Sequence, residues 1–166
     1  MIWGTNKVQK QELTHEQRQL NDQVESYAAK IQTFLNQINS IILDKQHQTK
    51  LALSSLLAGG HVLFEDLPGL GKTTLSSALS HIAGLKFQRI QFTNDMLASD
   101  VIGVNMFNQK QHQFEFKQGP IFTQILLADE INRCSPKTQS ALLEAMEEGL
   151  VTVEGVRYEL PQPFWV

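Results

Sequence analysis

The stretch Glu65-Asp66-Leu67-Pro68-Gly69-Leu70-Gly71-Lys72-Thr73-Thr74 decides how the rest of this 166-residue chain is read. It follows the apolar run His61-Val62-Leu63-Phe64 and precedes Leu75-Ser76-Ser77-Ala78-Leu79-Ser80-His81-Ile82-Ala83, between a buried strand and a helix, where a phosphate loop belongs. Polyphosphate has to approach such a backbone closely. Gly69 and Gly71 lack the Cβ that would block the approach or forbid positive φ, so their N–H groups can point inward. The helix opening near Gly71 and Lys72 adds unpaired N–H groups and the positive end of its dipole. Lys72 supplies a full charge for the β- and γ-phosphates and Thr73 a hydroxyl for Mg²⁺, with Thr74 assigned to the α-phosphate. Pro68 and Leu70 complete the nucleotide-binding segment.

The strict pattern G-x-x-x-x-G-K-[ST] asks for glycine where Asp66 stands, and a glycine turn joining any strand to any helix would also contain Gly-Lys-Thr. A second segment changes the balance. Ile125-Leu126-Leu127-Ala128-Asp129-Glu130 is an apolar run ending in two carboxylates, as a buried parallel strand delivering acids at its carboxyl end would read. Ligands of open α/β sheets bind at that end. Asp129 is expected to hold Mg²⁺ through its water shell, since Mg²⁺ prefers oxygen ligands and keeps several waters. Glu130 is expected to orient and polarise the attacking water. A strand ending in a solvated Asp-Glu turn is the plainer alternative. Taken together, the two segments predict ATP or GTP hydrolysis, with Lys72 and Glu130 as the catalytic groups.

Composition bounds the remaining choices. A chain of this length holds one domain with a proper core and a peripheral segment. Net charge of −3 and a pI near 5.9 leave no basic footprint for nucleic acid. The single cysteine, Cys134, excludes an intrachain disulfide and fits a reducing compartment. Met1-Ile2-Trp3-Gly4 leads into polar sequence and not into an apolar signal region, and Leu51 to Phe64 is too interrupted to span a bilayer. A cytoplasmic protein is expected. His61, opening an apolar strand, is expected to be a satisfied structural histidine.

Along the chain, residues 1–14 are polar and expected to be flexible. Leu20, Val24, Tyr27, Ile31, Leu35 and Ile38 recur at helical spacing, which predicts a long amphipathic helix. With a second helix from Gln46 to Leu57 it makes residues 15–58 a set of N-terminal helices expected to pack on the core. Gly59-Gly60 and Gly84 close helices. Phe87 to Phe92 alternates as a half-buried strand, and Val104–Phe107 with Gln113–Lys117 reads as a β-hairpin interrupting a wound sheet. A helix from about Pro136 to Glu148 follows, then a second hairpin, Val151–Val153 and Val156–Tyr158 around Glu154-Gly155.

With these elements in place, the chain resembles the MoxR family of AAA+ ATPases over roughly residues 30–166. Gly60 to Thr73 looks like that family's phosphate-loop segment, which often carries a non-glycine where Asp66 stands. Phe92-Thr93-x-Asp95-x-Leu97-x-Ser99-Asp100-x-x-Gly103 is similar to the segment leading into its inserted hairpin, although Asn94 and Ala98 replace the usual prolines. Gly119-Pro120-Ile121-Phe122 and Ala128-Asp129-Glu130-Ile131-Asn132-Arg133, continued from Pro136 to Met146, look like its Walker B region. Asp44 stands where the family typically has glycine, beside the adenine pocket.

The resemblance implies a P-loop NTPase of AAA+ type: an α/β three-layer sandwich with a parallel sheet, an inserted β-hairpin and an N-terminal helical extension. Residues 59–166 would form a partial nucleotide-binding domain, its sheet incomplete at the C-terminus. It also implies ATP and Mg²⁺ as cofactors, Ile41, Ile42 and Leu43 around the base, and Asn132 and Arg133 facing a neighbouring subunit. As partners it implies a self-associated ring, a hexamer, and a von Willebrand factor A-domain protein or client enzyme in a bacterial chaperone or remodelling role. The family's sensor strand, arginine finger and helical lid would fall beyond Val166. An arginine finger is worth about 10³ to 10⁵ in rate, so hydrolysis by these residues alone is expected to be slow. A nucleotide-binding switch or a nonfunctional fragment is the alternative from another class. An unrelated kinase or GTPase would need a base-specific motif or acceptor site that the sequence does not display.

Overall fold

A computed structural model describes residues 14–65 and 71–166 of the chain, which divides after Asn36 into two compact units. In the first, helix α1 (His15–Ile41) opens on a reciprocal cap. Thr14 Oγ1 accepts the Gln17 N–H at 3.3 Å, and Gln17 Oε1 accepts the Thr14 N–H at 2.9 Å, so the Thr-x-x-Gln spacing satisfies two N-terminal donors. The flexibility expected of the N-terminus concerns residues that, Thr14 apart, lie outside the described ones.

The last residues of α1, from Gln37 on, belong to the second unit, where Ile38 and Ile42 are buried. Asp44 then turns the chain at φ 59°, a left-handed conformation costing most L-residues about 1–2 kcal/mol and tolerated best by glycine, Asn and Asp. Asp is among the residues that this turn accepts. Helix α2 (Gln46–Leu57) and helix α3 (Lys72–Ala83) follow, the latter burying Leu75, Ala78 and Leu79 at i, i+3 and i+4.

Strand β1 (Phe87–Gln91) pairs in parallel with β4 (Ile125–Asp129), in register from Phe87 opposite Ile125 to Gln91 opposite Asp129. Parallel neighbours need a long crossover. Here it carries helix α4 (Ala98–Ile102) and the antiparallel hairpin β2 (Gly103–Asn108) and β3 (Gln113–Gln118). Ala98 is the first residue of α4, a position that suits proline; the helix starts without it, Asp100 Oδ2 accepting the Leu97 N–H at 2.8 Å. A 3₁₀ turn (Ile131–Arg133), helix α5 (Pro136–Glu148) and the hairpin β5 (Leu150–Val153) and β6 (Val156–Glu159) complete the order. Side chains on β4 alternate in direction: Leu126 and Ala128 join Ile90, Leu142 and Ala145 in the main core cluster, while buried Ile125 faces the other way.

One predicted strand is only partly formed. His61–Phe64 forms no ladder; among the described residues its single backbone bond runs from the Val62 N–H to Val166 O at 3.0 Å. The same terminal segment bonds to β4 on its other side. The Leu126 N–H reaches Trp165 O at 2.8 Å and the Trp165 N–H reaches Gln124 O at 2.9 Å. Phe164–Val166 thus lies between β4 and the His61 segment, and Leu63 is 75% exposed. No helix among the described residues is long and apolar enough to cross a membrane.

The inserted hairpin is fastened at its base and along one side. Phe116 stacks on Tyr158 with ring centroids 3.9 Å apart, and Asn105 Nδ2 donates to Glu154 Oε2 at 2.7 Å. At the base, Gly119 lies against the Val101 carbonyl and the Gly103 amide so closely that a Cβ there would overlap both. Gly119→Ala is therefore expected to cost about 1–3 kcal/mol through backbone displacement, seen as a lower urea midpoint at unchanged m-value.

Candidate functional site

Two elements carry the site. Helix α3 begins at Lys72 behind Gly71, whose φ of 83° and ψ of 17° are left-handed and which, as glycine, brings no capping side chain of its own. Such an end presents backbone N–H groups and positive dipole charge to an anion. Across from it β4 delivers Asp129, and the chain leaves the strand at Glu130 in another left-handed conformation, φ 57° and ψ 40°. A carboxylate residue adopts that region at some cost, as residues at functional sites often do. The turn after Glu130 is braced by the Arg133 N–H on Glu130 O at 2.9 Å and by Gln139 Nε2 donating to Ile131 O at 3.3 Å and Cys134 O at 3.2 Å.

Lys72, Asp129 and Glu130 line one cleft of about 760 Å³, joined by Ser76, Asn132 and Phe64, a volume ordinary for a small-molecule site. Thr73 is half-buried and Thr74 exposed in the first turn of α3, and neither lines the cleft. Pro68, Gly69 and Leu70, with Asp66, lie outside the described residues. Ile41, Ile42 and Leu43 do not line the cleft; Ile42 is buried while Ile41 and Leu43 are exposed. Arg133 is exposed in the 3₁₀ turn. A smaller hollow of about 460 Å³ lies on the inserted hairpin, lined from neither motif.

Among the described residues no three His, Cys, Asp or Glu side chains gather as a metal cage. A lone strand-end carboxylate still suits Mg²⁺, which is commonly held by one or two carboxylates, with waters and phosphate oxygens filling its shell. Asp129 has a protein partner that motif reading passed over: Arg89 on β1 donates to its Oδ2 at 2.6 Å. In the sequence Arg89 is one polar residue of an alternating strand, and only the β1–β4 register brings it to Asp129.

His61 is satisfied on both ring nitrogens. Nε2 donates to Met146 O at 3.0 Å and Nδ1 accepts the Val166 N–H at 3.0 Å, which fixes the neutral tautomer with its proton on Nε2. It is a structural tie in the lining of the cleft. Cys134 is buried, its Sγ donating to Ile131 O at 3.2 Å, and burial pushes its thiol pKa up, away from a nucleophilic role.

The model of the ATPase family associated with various cellular activities (AAA) matches residues 61–166. Chaperone MoxR1 of Mycobacterium tuberculosis is 39% identical over 145 residues, 86% of this chain and 38% of that one. The chain belongs to the MoxR family of AAA+ ATPases. Another relative of this MoxR-family chain, the uncharacterized YeaC protein of Bacillus subtilis, is 57% identical over 129 residues, 78% of this chain and 40% of that one. A crystal structure of a candidate ATPase from Cytophaga hutchinsonii matches with a TM-score of 0.79 at 38% identity, covering 92% of this chain and 46% of the other. The α/β fold with its parallel sheet is thus the AAA+ fold, and the chain spans about two-fifths of the length of these curated relatives.

Replacing His61 by Phe in the MoxR-family chain keeps the edge-on contact with Phe164, at 6.1 Å between centroids, but strands Met146 O and the Val166 N–H. The expected loss is about 1–3 kcal/mol, measured by urea unfolding.

Proposed function

We propose that this chain binds Mg-ATP and supplies the hydrolytic residues of a MoxR-type chaperone or remodelling ATPase. The observation that carries the reading is the meeting of Lys72, at the N-terminus of α3, with the Asp129-Glu130 strand end across one cleft. Pro68, Gly69, Leu70 and Gly71 are read as the backbone cradle, Lys72 as the cation for the β- and γ-phosphates, and Thr74 as a contact to the α-phosphate. Thr73 and Asp129 would hold Mg²⁺, which when bound neutralises phosphate charge. Glu130 would accept a hydrogen bond from the attacking water and aim it. Its exposed carboxylate, lining the cleft beside Asp129, supports that role.

Kinship with chaperone MoxR1 supports assembly of the whole protein into a ring, a hexamer on the family pattern, working in the cytoplasm on a von Willebrand factor A-domain protein or a client enzyme. These partners belong to the proposal, as does turnover.

Binding of a fluorescent ATP analogue and steady-state phosphate release test the site residue by residue. Lys72→Ala is expected to weaken nucleotide binding at least tenfold. Glu130→Gln should keep binding within about threefold and lose phosphate release by about a hundredfold or more, as removal of a catalytic base does. Binding without turnover in the unmodified chain would leave a nucleotide-binding function only. Wild-type affinity retained in Lys72→Ala would sink the site assignment.

A further inference from the structure

Asp129 is engaged from within the protein. One guanidinium nitrogen of Arg89 donates both to Asp129 Oδ2, at 2.6 Å, and to Gln91 Oε1, at 2.9 Å. The register explains the meeting. Gln91 lies opposite Asp129 in the parallel pair, and Arg89, two residues earlier on the same strand face, reaches it diagonally. Neither the Gly-Lys-Thr nor the Asp-Glu pattern calls for a cation here.

We infer that Arg89 is a built-in counter-ion that competes with the divalent cation for Asp129 and so sets how strongly Mg²⁺ promotes nucleotide binding. The inference rests on the reading of Asp129 as the Mg²⁺ carboxylate. Two effects act in the same direction. A guanidinium hydrogen bond occupies a carboxylate oxygen that the metal would use, and its positive charge repels a second cation brought to the same group. Gln91 gives the guanidinium an acceptor to keep when Asp129 turns to the metal. The side chains of Arg89 and Asp129 are 45% and 30% exposed, so the pair is partly solvated and of a weak class. It acts as a bias on metal loading, not as a lock.

The measured quantity is the ratio of the dissociation constant for ATP in EDTA to that in saturating Mg²⁺, read by calorimetry on the whole chain without any need for turnover. Arg89→Gln is expected to raise this ratio about two- to fivefold, the range of a partly exposed ion pair. Metal-free ATP should bind no more tightly than to wild type. Arg89→Lys, which keeps the charge but loses the fork, should fall between the two. In an Asp129→Asn background the Arg89→Gln effect should vanish, because the competition is for that carboxylate. A purely structural arginine would weaken both dissociation constants in parallel and leave the ratio unchanged; that result overturns the inference while leaving the nucleotide site intact. An equal rise in the Asp129→Asn background overturns it as well. If the wild-type chain binds ATP neither with Mg²⁺ nor without it, the reading of the site itself fails, and the inference with it.

Discussion

The fold depends on three residues at the end of the described chain. Phe164–Val166 bonds to β4 on one side, through Trp165, and to the His61 segment on the other, through Val166. Trp165, 2% exposed, adds a bond from Nε1 to Ser55 Oγ at 3.2 Å, and His61 receives the Val166 N–H. Extended segments hold position only through neighbours, since each backbone N–H and C=O must find a partner. Through these few bonds the segment leading toward Lys72 is aligned with the strand that ends in Asp129, and a single cleft has Lys72 and Asp129 in its walls.

Both walls are finished by the same backbone device. Gly71 before α3 and Glu130 after β4 are left-handed, and each turns the chain sharply where a regular element begins or ends. At Gly71 this opens helix α3 on a residue with no side chain of its own. At Glu130 it breaks the strand immediately after Asp129, so that adjacent carboxylates do not simply alternate to opposite faces of a continuing strand. The conformational cost is borne by the packing behind it: Gln139 ties the 3₁₀ turn to α5, and Ser135 caps that helix by accepting the Thr138 N–H.

Much of this was legible in order along the chain. The helix at Gln46–Leu57, the helix at Pro136–Glu148 and both hairpins fall where spacing and turn residues put them, because each is specified by neighbours a few residues apart. Glu154-Gly155, with φ 50° and 83°, is the two-residue turn that such a hairpin asks for. The strand at His61–Phe64 was less secure. An apolar run states a preference for burial, but a ladder needs partners on the flanks, and here only Val166 is bonded to it among the described residues. In the candidate site, Lys72, Asp129 and Glu130 were legible as motif positions, while Arg89 was not, since no local pattern separates a solvated strand arginine from one that reaches a carboxylate forty positions on.

The sequence by itself determined the chemistry on offer: a glycine-flanked lysine before a helix, two acids after an apolar strand, and enough shared residues to fix the family. The tertiary structure decided which of those groups meet. Parallel pairing joins residues far apart in the chain, and its register chooses one diagonal neighbour from several equally polar candidates. That choice placed Arg89 on Asp129, while for His61, already expected to be a satisfied structural histidine, the tertiary contacts supplied the partners, Met146 O and the Val166 N–H.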